Sequence, residues 1–227
     1  MRKPTEVLCL VWQHLLDRLY PARCPYCDSL IANKDDYACP RCKPLLPNFS
    51  IERFAAGGYR CAVPLRYDTP FSDAVKRFKF RGRAQYAPKL AFVLTNSILE
   101  LFPGEQLNAI DAVVCVPMHK HDLKKRGYNQ AELLARECAA LLALPFWEPL
   151  EKTKYNQKQH NLSRGQRLGN VRGVYRCIEP SLVKGKTVLL VDDIITTGAT
   201  LGACAKALKA AGAKAVYCAP LCTVVSY

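Results

Sequence analysis

Acidic residues are scarce in this sequence, because only 19 Asp and Glu stand against 33 Lys and Arg in 227 residues. Long apolar runs are missing as well. The apolar stretch Val7–Trp12 soon gives way to polar residues and is too short to cross a membrane. No small-residue cleavage site follows it, so we expect neither a membrane span nor a signal peptide. Half of the residues are nevertheless apolar, which predicts a globular rather than a disordered protein.

The imbalance of charge gives a formal net charge of +14. A surplus of this size predicts attraction to polyanions, either nucleic acid or a small molecule that carries pyrophosphate. The charge alone does not choose between these two classes of partner.

Residues 1–20 form a separate N-terminal segment. Apolar residues within Thr5–Leu19 recur at helical spacing, which predicts an amphipathic helix. We expect its apolar face to pack on the rest of the chain or on a partner, with a membrane-surface role as the less favoured alternative.

Residues 21–50 contain two pairs of cysteines with C-x-x-C spacing, Cys24 with Cys27 and Cys39 with Cys42. Each pair can offer two thiolates to one ion, and two pairs complete a tetrahedral shell with no open position. The pattern therefore predicts a small domain, here called the knuckle, that is held together by a structural Zn²⁺. A redox-active C-x-x-C or two disulfides are the alternatives.

The other eight cysteines mostly stand singly within apolar runs, where a thiol serves as a small core hydrophobe. Together with the expected lack of a signal peptide, this usage predicts a reducing compartment, the cytoplasm. The eight are Cys9, Cys61, Cys115, Cys138, Cys177, Cys204, Cys218 and Cys222.

A buried strand at 188–191 is followed by two carboxylates, Asp192 and Asp193, and then by a loop of small residues before a helix predicted at Leu201–Ala211. A helix N-terminus with free N–H groups and hydroxyl side chains suits a phosphate. The acid pair can accept hydrogen bonds from sugar hydroxyls, so the whole segment predicts a ribose-5-phosphate site. The loop residues are Thr196, Thr197, Gly198, Ala199 and Thr200, with Gly198 serving a positive φ or a close backbone approach.

The same segment allows two other interpretations. A plain buried strand with a capped helix would use Asp193 and Thr200 only to satisfy backbone donors. A P-loop needs Gly-x-x-x-x-Gly-Lys-Ser/Thr after a strand, and Gly185-Lys186-Thr187 ends that motif. Pro180 stands where the first glycine should be, and the tripeptide enters a strand rather than leaving one, so the P-loop is disfavoured.

A second buried strand at 111–117 runs into a basic loop that begins Met118-His119-Lys120. A helix through about Leu142 follows, with Asn129 as its predicted cap and Arg126 within reach of an anion. Ligands of parallel sheets bind at the carboxyl ends of the strands, so this loop is expected to face the first one. Lys124 and Lys125 fit a solvated basic face equally well.

The acid pair, Thr-Thr-Gly and closing Thr resemble the phosphoribosyl-pyrophosphate (PRPP) loop of type I phosphoribosyltransferases. Further segments resemble one subgroup of that class, the ComF family of competence proteins, and the likeness covers nearly the whole chain after about residue 21. They are the cysteine pairs, Tyr67 with Lys79-Phe80-Arg81-Gly82, Arg126-Gly-Tyr-Asn-Gln130, and Gln159-His-Asn-Leu162-Ser163 followed by Arg167, Asn170 and Val171. The resemblance implies an α/β fold with a parallel, Rossmann-like sheet and a hood over residues 51–227.

The resemblance also implies a chemistry, the displacement of pyrophosphate from ribose C1 with Mg²⁺ bridging pyrophosphate and ribose hydroxyls. Asp192 and Asp193 would orient the hydroxyls and offset charge on the ribose, and the Thr196–Thr200 loop would anchor the 5-phosphate. The implied pyrophosphate side consists of Met118, His119, Lys120, Arg126, Lys79 and Arg167. No residue pattern identifies the acceptor.

Two stretches, 74–99 and 152–176, contain no acid while basic residues accumulate. In the first, Phe78, Phe80 and Tyr86 alternate with the cations, a pattern that suits single-stranded nucleic acid. The alternative is one helical face of core residues with a wet basic face. Glycines interrupt the second stretch, which suits a lid over the reacting centre.

Two functions of different class therefore remain open from the sequence. The first is a phosphoribosyltransferase linked to DNA uptake, with competence-machinery proteins as possible partners. The second is a single-stranded DNA-binding competence factor whose PRPP site is a sensor or a relic.

Overall fold

A computed structural model describes residues 21–154 and 173–224 of the chain. The predicted N-terminal helix, the predicted lid residues 155–172, Arg167 and the motif from Gln159 to Val171 lie outside the described residues.

A seven-stranded sheet forms the centre of the described structure, with the order β1-β2-β9-β8-β4-β5 and β3 paired to β9. Only the β1–β2 pair is antiparallel, and the other pairs run parallel. Strands β6 and β7 form a separate antiparallel pair. The strands are β1 Ile51–Ala55, β2 Tyr59–Val63, β3 Leu65–Arg66, β4 Ala112–Cys115, β5 Phe146–Trp147, β6 Leu150–Lys152, β7 Tyr175–Cys177, β8 Thr187–Ile195 and β9 Ala215–Thr223.

Helices connect and cover these strands. They are α1 Phe71–Phe80, α2 Ala87–Leu101, α3 Glu105–Asn108, α4 Lys120–Arg126, α5 Gln130–Leu141, α6 Pro180–Val183 and α7 Ala199–Ala210, with 3-10 turns at Lys43–Leu45 and Ala84–Tyr86. Helices α2 and α5 pack against each other and against the sheet, while α7 packs against β7, β8 and β9. The alternation of strand and helix around a parallel sheet confirms the predicted α/β class.

The predicted strands and helices are present with shifted ends. Strand β8 continues through both carboxylates to Ile195, because β9 pairs with it as far as Thr223. The acid pair therefore lies inside the strand. The apolar run alone had predicted that the pair would follow the strand. Helix α7 begins at Ala199, two residues before the predicted start. The helix after Asn129 ends at Leu141, as predicted.

The isolated cysteines behave as core residues, as predicted. Burial is nearly complete for Cys61, Cys115, Cys138, Cys204, Cys218 and Cys222. Cys177 is only half-buried, and Cys9 lies outside the described residues. Within the described parts of the chain, no helix combines the length and the apolar character needed to cross a bilayer.

Candidate functional site

The acid pair lies near the carboxyl end of β8, and both side chains are buried. The backbone N–H of Asp193 donates a hydrogen bond of 2.8 Å to Oδ1 of Asp192. Burial raises the pKa of Asp192 to about 7, the charge of Asp193 adds to this rise, and Lys79 opposes it. Two adjacent carboxylates are thus held in a place that disfavours ionising both.

A lysine from α1 compensates this acid pair. Nζ of Lys79 lies 2.8 Å from Oδ1 of Asp193, and less than a fifth of either side chain is exposed. The sequence had assigned Lys79 to the pyrophosphate side of the site. The structure places its ammonium group on the carboxylate that was expected to face the ribose.

The loop after β8 has the backbone that a phosphate site requires. Gly198 is the N-cap of α7 with φ of +73°, and Oγ1 of Thr197 accepts from the N–H of Ala199 at 3.4 Å. A Cβ at Gly198 would lie 2.7 Å from Cα of Ala55, and the N–H of Ala56 donates to the Gly198 carbonyl at 3.2 Å. Both reasons given for a glycine here, positive φ and close backbone approach, are present.

One cavity of about 380 Å³ brings together most of the predicted site residues. Its lining includes seven of them: Lys79, Met118, Arg126, Asp192, Asp193, Thr196 and Thr200. Thr197, Gly198 and Ala199 line a pocket of about 30 Å³ in the turn of the loop itself. The two ligand loops of neighbouring strands β4 and β8 therefore meet at one edge of the sheet, as expected for a parallel sheet.

The remaining predicted residues of the pyrophosphate side, His119 and Lys120, line an adjoining cavity of about 390 Å³. Met118 lines both cavities, as do Pro117, Asn129 and Lys152, so the two cavities lie next to each other. His119 is the N-cap of α4, and its Nδ1 accepts from the N–H of His121 at 3.2 Å. The basic loop is thus built as the start of a short helix.

Arg126 is held in place at the end of α4. Its Nη1 donates to Oε1 of Gln130 at 2.8 Å, and its guanidinium lies 5.2 Å from the ring centre of Phe80. Asn129 caps α5 through a hydrogen bond from the N–H of Ala131, and its amide donates to the carbonyl of Val116 at 3.0 Å. The cap that was predicted from the sequence is confirmed, and it also ties α5 to the end of β4.

Four polar lining residues of the main cavity had no predicted role in this site. They are Asp122, Asn129, Lys152 and Tyr175. Lys152 ends β6 and Tyr175 begins β7, and these two residues pair across the small hairpin. Their only signal in the sequence was membership of the second basic stretch, which says nothing about which cavity they line.

The cysteines of the knuckle form a cluster that fits a metal ion. The four Sγ atoms of Cys24, Cys27, Cys39 and Cys42 all lie within 4.8 Å of one another. A tetrahedral Zn²⁺ with bonds of about 2.3 Å requires sulfur separations of about 3.8 Å, which this spacing allows. The N–H of Cys39 also donates to Sγ of Cys24 at 3.5 Å, the kind of outer hydrogen bond that metal thiolates receive. All four cysteines are free, so the two-disulfide alternative is not formed.

The first basic stretch does not present the aromatic platform that its pattern suggested. Phe78 and Tyr86 are fully buried, and within this trio only Phe80 is exposed. Ala74, Val75 and Phe78 form the buried face of α1. The interpretation as a helix with a core face and a wet basic face is therefore correct for most of this stretch, because apolar burial wins over base stacking at these positions.

Comparisons with known proteins agree with the geometry. Residues 124–226 match the model of the phosphoribosyl transferase domain. The DNA utilization protein YhgH of Escherichia coli K12 is 30% identical over 201 residues, which cover 88% of this chain and 83% of that protein. Competence protein F of Haemophilus influenzae is 28% identical over 196 residues, covering 85% of this chain and 82% of the relative.

The chain belongs to the ComF family. The ComFC protein of Bacillus subtilis, also a competence protein, is 31% identical over 145 residues, or 63% of this chain and 55% of that relative. Among solved structures, adenine phosphoribosyltransferase of Saccharomyces cerevisiae aligns with 80% of this chain and 87% of its own, at 16% identity and a TM-score of 0.42. The family model and the mostly parallel α/β sheet show a phosphoribosyltransferase fold, as the sequence motifs of this ComF chain implied.

Proposed function

We propose that this ComF-family protein binds PRPP together with Mg²⁺ and acts in DNA uptake during natural transformation. The observation that carries the first part is one cavity that joins the acid pair, two of the loop threonines (Thr196 and Thr200), Lys79 and Arg126. The second part is supported by the relatives, which are named as competence and DNA utilization proteins.

In this proposal each part of PRPP has its own residues. The 5-phosphate accepts hydrogen bonds from the N–H groups and hydroxyls of the Thr196–Thr200 loop at the N-terminus of α7. Asp192 and Asp193 accept hydrogen bonds from the ribose hydroxyls. Pyrophosphate lies toward Arg126 and the Met118–Lys120 loop, where the two cavities adjoin. Mg²⁺, when bound, neutralises charge on the pyrophosphate.

If the protein is a transferase, the bond between ribose C1 and the pyrophosphate oxygen breaks and a bond to the acceptor nucleophile forms. Positive charge develops on the ribose. The negative charge of the acid pair stabilises it because both side chains are fixed beside it before the reaction. Arg126 receives the negative charge that moves onto pyrophosphate. The acceptor is left unassigned, so we propose the PRPP site and not a named product.

Calorimetric titration of the zinc-loaded protein with PRPP and Mg²⁺ tests the proposal. We expect saturable binding, and we expect Asp193→Asn to weaken it by about 10- to 150-fold, since hydrogen bonds to charged groups contribute about 1.5–3 kcal/mol. Asp73→Asn is the matched control, because Asp73 pairs with Lys76 on the exposed side of α1. Equal affinity in wild type and Asp193→Asn would remove the assignment.

We further propose that the knuckle holds one structural Zn²⁺ through Cys24, Cys27, Cys39 and Cys42. The closed set of four thiols leaves no position for a substrate, so the ion stabilises the fold and takes no part in chemistry. Metal analysis of freshly purified, reduced protein should give one zinc per chain, and a metal-free preparation that retains the fold of residues 21–50 would contradict this.

The second candidate is a single-stranded DNA-binding factor whose PRPP site is a sensor or a relic. One observation favours it: the exposed ring of Phe80 contacts the guanidinium of Arg126, and Arg126 and Lys79 both line the main cavity, so an exposed ring lies beside a cation of the site. Oligonucleotide affinity should then fall steeply with salt. Pyrophosphate release with an added nucleophile would favour the transferase instead, and a flat salt response would argue against DNA binding.

A further inference from the structure

Helix α1 contacts the knuckle through Arg77. Its Nη2 donates to the carbonyls of Pro25 at 2.9 Å and Tyr26 at 2.6 Å, and its Nε donates to Pro25 at 3.3 Å. Pro25 and Tyr26 are the two residues between Cys24 and Cys27. The guanidinium thus binds the backbone of the turn between the two cysteines, so the position of Arg77 is tied to the conformation of that turn.

The same helix reaches the acid pair two residues later. Lys79 forms the ion pair of 2.8 Å with Asp193 described above. Phe78 lies between Arg77 and Lys79, is fully buried, and accepts a hydrogen bond at its carbonyl from the hydroxyl of Tyr128. Arg77 thus contacts the knuckle, Phe78 packs in the core and Lys79 contacts the site. These three contacts together fix the rotation of α1 about its own axis.

Other contacts attach the knuckle to the flank of α1 and the start of α2. Tyr26 meets Phe71 edge-to-face at 5.6 Å, and Asp28 receives the hydroxyl of Tyr86 and an ion pair from Arg83 at 3.6 Å. Lys89 donates to the backbone carbonyls of residues 34 and 36. Because these contacts join the knuckle to both helices, a knuckle that opens or moves should shift α1 and α2. We therefore expect the state of the knuckle to change the position of the last residues of α1.

We propose that Arg77 is a positioning residue that makes PRPP affinity depend on the closed, metal-filled knuckle. The carbonyls of the turn between Cys24 and Cys27 fix Arg77 by hydrogen bonds, and this fixes the position of α1. Helix α1 in turn places Lys79, whose ammonium group pairs with Asp193 and neutralises its charge. Without that cation the two adjacent carboxylates repel each other and the phosphate-bearing ligand. This inference rests on the proposed PRPP function and adds the knuckle as its regulator.

A double-mutant cycle tests the route. Arg77→Gln is expected to weaken binding of PRPP with Mg²⁺ on the order of tenfold, a typical coupling between sites. In the Lys79→Gln background the same change should have no further effect, because the group through which it acts is gone. Arg77→Lys should restore part of the affinity, since an ammonium can still donate to one carbonyl. Lys76→Gln is the control, as this exposed residue pairs only locally with Asp73.

Equal losses from Arg77→Gln in both backgrounds would overturn the inference, as would wild-type affinity in Arg77→Gln. Loss of PRPP binding in the unmodified protein would overturn the proposed function as well, so the two failures are distinguishable. Zinc content is measured for each variant. This distinguishes a variant that has lost only the contact between Arg77 and the knuckle from one that has lost the metal.

A second measurement needs no substitution at Arg77 and holds even if that variant does not fold. Coupling between two sites is reciprocal. If bound zinc raises the affinity for PRPP by some factor, saturating PRPP with Mg²⁺ should raise the zinc affinity of the wild-type protein by that same factor. Competition with a zinc-selective chromophoric chelator measures this, with and without PRPP. We expect tighter zinc in the presence of PRPP for wild type and no change for Lys79→Gln. Unchanged zinc affinity in wild type would refute the coupling.

Discussion

Replacing Asp192 with asparagine is expected to stabilise the folded protein at pH 8 while it damages the proposed PRPP site. The carboxyl is buried beside Asp193, and its pKa is raised from 3.8 to about 7, mainly by burial and further by that neighbouring charge. Keeping it ionised at pH 8 therefore costs folding free energy. Each unit of pKa difference between the folded and unfolded states corresponds to about 1.36 kcal/mol, which gives a cost of about 4 kcal/mol.

The sign follows from the protons bound by each state. Between about pH 4 and pH 7 the folded protein holds a proton on Asp192 that the unfolded chain has released, so stability falls as pH rises through this window. An asparagine has no charge to bury and keeps an amide oxygen for the N–H of Asp193. The gain from Asp192→Asn should therefore be about 4 kcal/mol at pH 8 and less than half of that at pH 5.

Denaturant unfolding of wild type and variant at the two pH values provides the assay. Comparing them at the same pH removes contributions that both share, including the pH dependence of metal binding. Asp111→Asn is the control of opposite sign, because the N–H of Thr187 and the ammonium of Lys186 lower the pKa of Asp111. That variant should lose stability at pH 8, with the loss fading as pH falls into the acid range. A destabilised Asp192→Asn, equal at both pH values, would refute the reasoning.

Three further predictions follow from individual contacts. Gly202→Ala should destabilise the protein by about 1–3 kcal/mol despite the better helix propensity of alanine, because the new Cβ would lie 2.1 Å from the carbonyl oxygen of Ala56; a higher free energy of unfolding would contradict this. Asn129→Ala should cost about 1–2 kcal/mol through the lost cap of α5, and an unchanged melting temperature would argue against that role. Removing the metal with a chelator should speed amide exchange in residues 21–50 more than in β8 and β9, and uniform exchange would show that the knuckle does not depend on the ion.

The conformation of the Thr196–Thr200 loop was predictable because all of its parts are neighbours in the sequence. A buried strand, an acid pair, a glycine that needs positive φ and a helix start follow one another, so local propensity and chemistry coincide. The cysteine knuckle is predictable for the same reason. The end of β8 was missed because it depends on pairing with β9, whose register cannot be derived from the residues of β8 alone.

The partner of Asp193 was not predictable in this way. Lys79 belongs to a helix far away in the sequence, and its basic neighbours gave it several equivalent roles. The burial of Phe78, together with the rest of the buried face of α1, sets the rotation of this helix and directs Lys79 toward the acid pair. The same burial removes Phe78 from any nucleic-acid surface. The packing of α1 therefore determines both the direction of Lys79 and the loss of this ring as a platform for base stacking.

The charges that line the main cavity distinguish attraction to nucleic acid from recognition of PRPP, which the net charge alone could not do. Its lining holds three cations, Lys79, Arg126 and Lys152, and three acids, Asp122, Asp192 and Asp193. Among the described residues these are equal in number, so the described lining contributes nothing to the surplus of +14. Attraction to nucleic acid and recognition of PRPP should therefore respond to different residues. Exposed lysines such as Lys124 would change the salt dependence of oligonucleotide binding, whereas PRPP affinity would follow the balance of Lys79 against the acid pair.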